Sequence, residues 1–194
     1  AVEMRRADRF YIDGQWVVPA HAQPMAVINP ATEQPVGEVM LGAAVDVDRA
    51  VMAARKAFDQ FSQTTPRQWI DLLESILTSY DRRRKDLAEA ITAEMGAPVG
   101  LAEKLHAMIG KVHLKTALKV LKEYAFEKTV GSARVMHEPI GVCAFITPWN
   151  WPVNQIAVKV APALACGCTM VLKPSELSPF SATIWAEILA DAGV

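Results

Sequence analysis

The sequence predicts an α/β fold in which amino-terminal hairpins and helices lead into the opening strands of a parallel sheet. Three observations carry that expectation. Turn residues break positions 10–41 into short β-rich runs, and positions 46–121 repeat apolar residues at helical spacing. From Gly141 the pattern becomes strand, helix, strand, helix, the alternation that requires parallel strands joined by crossovers.

Phe10-Tyr11-Ile12 and Gln15-Trp16-Val17-Val18 flank Asp13-Gly14, a two-residue turn suited to a tight hairpin. A second strand pair, 25–28 and 36–41, is separated by a segment containing Pro30 and Pro35, and it is expected to extend the same ribbon. Ala50, Ala54, Ala57, Phe58 and Phe61 then mark a first helix, with Asp46 as a candidate cap for its first-turn amides. Thr65-Pro66 opens a second helix with Trp69, Leu72, Leu73, Ile76, Leu77 and Tyr80 on one face. Leu87, Ala88 and Ile91 suggest a third helix, beyond a solvated junction at Arg82-Arg83-Arg84-Lys85, and Gly96 can end it in the left-handed conformation. Leu101, Leu105, Met108, Val112 and Leu121 predict a long fourth helix packed through that stripe.

Residues 127–139 read as a polar connector, and a composition boundary there divides residues 1–135 from 136–194. Beyond it, Gly141 to Ile146 reads as a buried strand, 151–166 as a helix interrupted near Pro162, and 168–172 as a second buried strand. Ser178-Pro179 predicts a last helix, with serine as cap and proline at the first helical position, where its missing amide is harmless. Ile184, Ile188 and Leu189 give that helix a core face. Two strands do not complete a parallel sheet, so the chain is expected to stop at Val194 inside a domain.

The 194 residues, 52% hydrophobic and 21% charged, suffice for a sizeable core. Twenty basic and 21 acidic residues give a net charge of -1, which favours neither nucleic acid nor an acidic membrane. The first six residues lack a secretory apolar core, and the longest apolar run, 160–172, contains Pro162 and Gly167. A cytoplasmic location with no membrane partner is expected. Cys143, Cys166 and Cys168 lack zinc-ligand spacing and read as buried, inert thiols, so no metal site is expected.

Two signatures carry chemistry: Ile146-Thr147-Pro148-Trp149-Asn150, and Lys173-Pro174-Ser175-Glu176. Asn150 follows a strand, where open α/β sheets gather ligands, and its side-chain amide offers two donors to a developing oxyanion. Lys173 and Glu176 follow the next strand; a carboxylate there can accept from ribose hydroxyls while lysine donates. Together with Glu138-Pro139-Ile140-Gly141-Val142, Lys159, Ala161-Pro162-Ala163-Leu164-Ala165 and Gly167-Cys168-Thr169, these motifs resemble the aldehyde dehydrogenase superfamily in order and spacing. The amino-terminal half resembles it more diffusely, through Tyr11-Ile12-Asp13-Gly14, Ile28-Asn29-Pro30-Ala31-Thr32 and 46–51.

The resemblance implies an incomplete aldehyde-dehydrogenase-like fold: residues 1–135 hold the hairpins and helices, and 136–194 begin a Rossmann-like NAD-binding domain. It implies that Asn150 stabilises an oxyanion, that Lys159 is a second catalytic residue that lies near the pocket and joins a proton relay, the alternative being a solvated helix-face lysine, and that Ile146, Thr147, Pro148, Trp149, Lys173, Ser175 and Glu176 bind cofactor. NAD is expected over NADP because Glu176 repels a 2′-phosphate. The family's nucleophilic cysteine and general-base glutamate match no residue of this chain, which is therefore expected to be inactive alone. Oxidation of a small aldehyde to an acid through a thioester, by a homo-oligomer, is the implied activity of the whole. A non-catalytic nucleotide-binding or assembly module, and a relative that passes the thioester to coenzyme A, are the alternatives.

Overall fold

The computed structural model describes residues 5–194, so the reading of residues 1–4 as part of a segment without a secretory core lies outside the described residues. Strands β1 (Arg5–Ala7), β4 (Gln23–Asn29) and β5 (Gln34–Leu41) form one sheet in the order β1-β5-β4. The expected hairpin joins β2 (Phe10–Ile12) to β3 (Gln15–Val17), with Asp13 and Gly14 at φ 53° and 72°. It stands as a separate ribbon. The second pair does not extend it, because β5 spends its free edge on β1 in parallel register.

Helix α1 (Ala44–Phe61) starts at Ala43, not at Asp46. Asp46 sits one turn in, where its carboxylate accepts the amides of Ala43 and Ala20 at 2.9 Å each and so ties the helix start to the chain before β4. The second and third helices expected from sequence are one helix, α2 (Pro66–Met95), because nothing at Arg82-Arg83-Arg84-Lys85 breaks the backbone hydrogen bonding. Arg83 there pairs with Asp86 and Glu187, each at 2.6 Å. Thr65 caps α2 by accepting the Gln68 amide, and Gly96 ends it at φ 79°.

Next come α3 (Val99–Leu101), a π-helical turn over Ala102–His106, and α4 (Ala107–Glu123). Of the stripe expected to pack here Leu121 is buried and Met108 half-buried, but the rest is off by about one residue. Ala102, His106, Ala107, Leu114, Leu118 and Leu121 are buried, whereas Leu101, Leu105 and Val112 are exposed. The extra residue in a π turn rotates the preceding face, which defeats a strict helical count.

The polar connector is a hairpin of β6 (Glu127–Val130) and β7 (Ala133–Met136). Strand β8 (Val142–Ile146), helix α5 (Pro152–Ala165) and strand β9 (Thr169–Lys173) follow, then α6 (Pro179–Asp191). Pro162 lies within α5 without interrupting it. The two strands pair in parallel but are only partly buried, since a two-stranded sheet leaves both outer edges unpaired. Of the three thiols, Cys168 is buried and Cys143 half-buried, but Cys166 is exposed at the end of α5, contrary to expectation.

Helix α2 is the centre of the core. Leu73, Ile76, Tyr80, Leu87 and Ile91 are fully buried against Leu114 of α4, Ile156 and Val160 of α5, and Trp185 and Ile188 of α6. Each such side chain contributes about 1.5–3 kcal/mol relative to exposure. Residues from both sides of the composition boundary thus share one core.

Candidate nucleotide and carbonyl site

Parallel pairing brings the two chemical signatures to the same end of one strand pair. The register runs from Val142 opposite Thr169 to Ile146 opposite Lys173, so both chains leave the sheet side by side. Beyond the last pair, the Thr147 amide donates to the Lys173 carbonyl at 3.2 Å, carrying the ladder one residue further. Gly167, at φ 72°, sets the turn into β9. A Cβ there would lie 2.4 Å from the Trp69 ring, so the position has no room for a side chain.

Thr147 is buried, while Pro148, Trp149 and Asn150 stand exposed on the bend that precedes α5. Among the described residues the Asn150 side chain has no intramolecular hydrogen bond and is exposed. Pro152 begins α5 at a position where no amide is needed. Next to Asn150, Trp151 stacks on His106 from the π-helical turn, with ring centroids 4.1 Å apart and planes 18° from parallel. His106 is buried, and burial pulls its imidazole below the ordinary histidine range, which favours the neutral ring. One turn along α5, Asn154 meets His113 of α4 at 2.8 Å. Lys159 is half-buried and donates to the carbonyl and side-chain oxygens of Gln155 at 3.1 and 3.2 Å.

On the β9 side, Lys173 donates to Glu176 at 2.9 Å, and both remain largely open to solvent. That hydrogen bond, reinforced by a backbone one, holds the Glu176 carboxyl below its usual range. Ser175 shapes the loop: its hydroxyl oxygen accepts the Leu177 amide and its carbonyl accepts the Ser178 amide, each at 3.2 Å. Ser178 does not cap α6 with its side chain, contrary to expectation. The cap is Glu94, at the end of α2. Its carboxylate accepts the Phe180 and Ser181 amides at 2.6 and 3.1 Å and the Ser181 hydroxyl as well.

The donor set suits a dinucleotide: an exposed carboxylate and ammonium at the end of one strand, and an uncommitted side-chain amide at the end of its neighbour. Among the described residues, no cluster could hold a metal, and no helix is long and apolar enough to cross a membrane.

A parallel strand pair with amide and carboxylate groups at its carboxyl end is the arrangement in which open α/β folds gather ligands. The chain belongs to the aldehyde dehydrogenase family, whose profile matches residues 16–194. It is 55% identical over 192 residues to the 3-succinoylsemialdehyde-pyridine dehydrogenase of a Pseudomonas species, covering 98% of this chain and 40% of that protein. Its structure matches the aldehyde dehydrogenase of Bartonella henselae at TM-score 0.96 and 40% identity, over 98% of this chain and 41% of the other. It matches a cysteine-to-alanine mutant of Pseudomonas syringae aldehyde dehydrogenase C, complexed with NAD+ and octanal, at TM-score 0.95 and 48% identity, over 97% and 39% of the two chains. The chain thus spans about 40% of the length of the relatives it matches.

Sequence reasoning named the residues at the strand ends but missed His106 and Glu94. No local signal marks His106, because its partner lies on a distant helix. Glu94 left a faint one, an acidic residue one turn beyond Ala90 and Ile91 on an otherwise apolar face.

Proposed function

We propose that this chain is the amino-terminal part of an NAD-dependent aldehyde dehydrogenase that oxidises an aldehyde to a carboxylic acid through an enzyme-bound thioester. The observation that carries the reading is the adjacency of Ile146 and Lys173 in the parallel register, which puts the Asn150 bend and the Lys173–Glu176 loop at one sheet end. Residues 136–194 would open the nucleotide-binding domain, with residues 1–135 ahead of it.

In this reading Glu176 accepts from the adenosine ribose hydroxyls, Lys173 donates to them, Ser175 holds their loop, and 146–149 run beside the dinucleotide. NAD supplies the hydride acceptor. Asn150 donates its side-chain N–H to the aldehyde oxygen as negative charge develops there, an interaction stronger in the transition state than in the ground state. Lys159 supports the α5 turn that carries Gln155 towards the same pocket. The nucleophilic cysteine and the general-base glutamate would come from sequence beyond this chain, so the 194 residues alone are inactive.

Trp151, pinned flat by His106 beside Asn150, supports an aldehyde borne on a planar or apolar body. The name of the Pseudomonas relative, which places a pyridine ring in its substrate, supports the same class. The full protein would be a cytoplasmic homo-oligomer. The test is a polypeptide of the relatives' length carrying this sequence, assayed for NADH formation with pyridyl, phenyl and short aliphatic aldehydes, with and without coenzyme A. NADH formed with acid as product supports the reading. An acyl-coenzyme A product, or no NADH with any aldehyde, removes it.

A further inference from the structure

Glu94, Ser178 and Ser181 are buried to within 4% of complete, a costly place for a carboxylate unless its oxygens are bonded. Glu94 meets that cost at the first turn of α6, where it accepts two backbone amides and a hydroxyl. These amides follow the Lys173–Glu176 loop by about one turn of chain. In open α/β folds such first-turn amides are ready donors for a phosphate. Here a carboxylate delivered by α2, 86 residues upstream of Phe180, already holds them.

We propose that Glu94 is a positioning residue for the adenosine end of the dinucleotide, an inference that rests on the reading of Lys173 and Glu176 as ribose-binding groups. By fixing the start of α6 through the Phe180 and Ser181 amides and the Ser181 hydroxyl, it fixes the loop that presents Lys173 and Glu176 to the ribose. The preference for NAD over NADP then depends on Glu94 through the placement of Glu176.

The experiment measures dissociation constants for NAD and NADP by tryptophan fluorescence in the polypeptide of family length and in its Glu94→Gln, Ser181→Ala and Glu176→Gln variants. Glu94→Gln keeps the side-chain volume and removes the charge. The expected result is a preference for NAD narrowed about tenfold, with NAD bound more weakly and NADP, which gains nothing from the Glu176 contact, little changed. Ser181→Ala keeps the carboxylate but loosens it, and narrows the preference less in the same direction; it decides the matter if Glu94→Gln does not fold. A purely structural cap would weaken both cofactors equally. An unchanged ratio in both the Glu94 and Ser181 variants, with a narrowed ratio in Glu176→Gln, overturns the role of Glu94 alone. A ratio unchanged in all three overturns the ribose-site reading and this inference with it.

Discussion

His106 and Trp151 form a nearly parallel stack between the π-helical turn and the residue that follows Asn150. The pair makes the position of the Asn150 bend depend on a side chain from a different helix. His106→Ala should destabilise the chain by about 2–4 kcal/mol, from lost stacking and a cavity, while His106→Phe should recover most of that. Urea denaturation of the two variants checks it; equal losses would show that ring stacking is not what matters. The folded-state pKa of His106 lies below the unfolded value near 6.5, so the unfolded chain binds the extra proton first. The stability tied to the neutral ring is present above that value and is lost as pH falls through the folded pKa, a loss absent from His106→Phe.

Asn150→Ala in a polypeptide of family length should slow single-turnover NADH formation about 10²- to 10³-fold, the range for losing one oxyanion donor. NAD affinity should hardly change if, as proposed, the lost amide serves the aldehyde oxygen. An unchanged burst with weakened NAD binding would reassign Asn150 to the cofactor.

Glu176→Ser should narrow the preference for NAD over NADP by removing the carboxylate proposed to accept from the ribose. Its carboxyl titrates below the usual 4.5 because Lys173 donates to it, so the preference should persist unchanged from neutral pH down to about pH 5. A preference that decays between pH 7 and about pH 5 would point to a different group.

Asp46→Ala should cost about 1–2 kcal/mol, since it removes the acceptor of the Ala43 and Ala20 amides at the start of α1. The Ala43 bond first, then the Ala20 bond, lowers the Asp46 pKa below its ordinary 3.8. Its contribution is therefore complete above that value and disappears as pH falls through the lower folded pKa. Acid titration of unfolding should show a step in the unmodified chain that is missing from the variant.

Gly167→Ala should destabilise the chain by about 1–3 kcal/mol, because the new methyl would meet the Trp69 ring and the backbone there is left-handed. A midpoint in urea unchanged from the parent would mean that Trp69 moves aside without cost.

Much of this was legible because it is local. The Asp13-Gly14 hairpin, the helix start at Thr65-Pro66, the Gly96 stop and the strand, helix, strand order all depend on neighbours in sequence, and each appears where expected. The strand-end placement of the two motifs was legible for the same reason, since each occupies a continuous stretch. What escaped was set at a distance. Asp46 looked like a cap but reaches Ala20, Ser178 looked like a cap but yields to Glu94, and the π turn moved the buried face away from Leu101, Leu105 and Val112. Solvent-facing Ile146 and Cys166 escaped too, since apolar character alone does not say which face another element covers.

The unbroken length of α2 has a mechanical meaning. Near its start Trp69 lies against Gly167, just ahead of β9, and near its end Glu94 holds Ser181, just past the Lys173–Glu176 loop. Thirty residues of helix form a rod of about 45 Å. That rod grips the strand and its loop at both ends, as a splint holds a limb. Neither end of this stretch can drift while the other stays in place without bending the helix or breaking a buried contact. Amide exchange from β9 through the first turn of α6 should therefore occur in a single opening event shared with α2, and Lys173 and Glu176 should keep their spacing until that event.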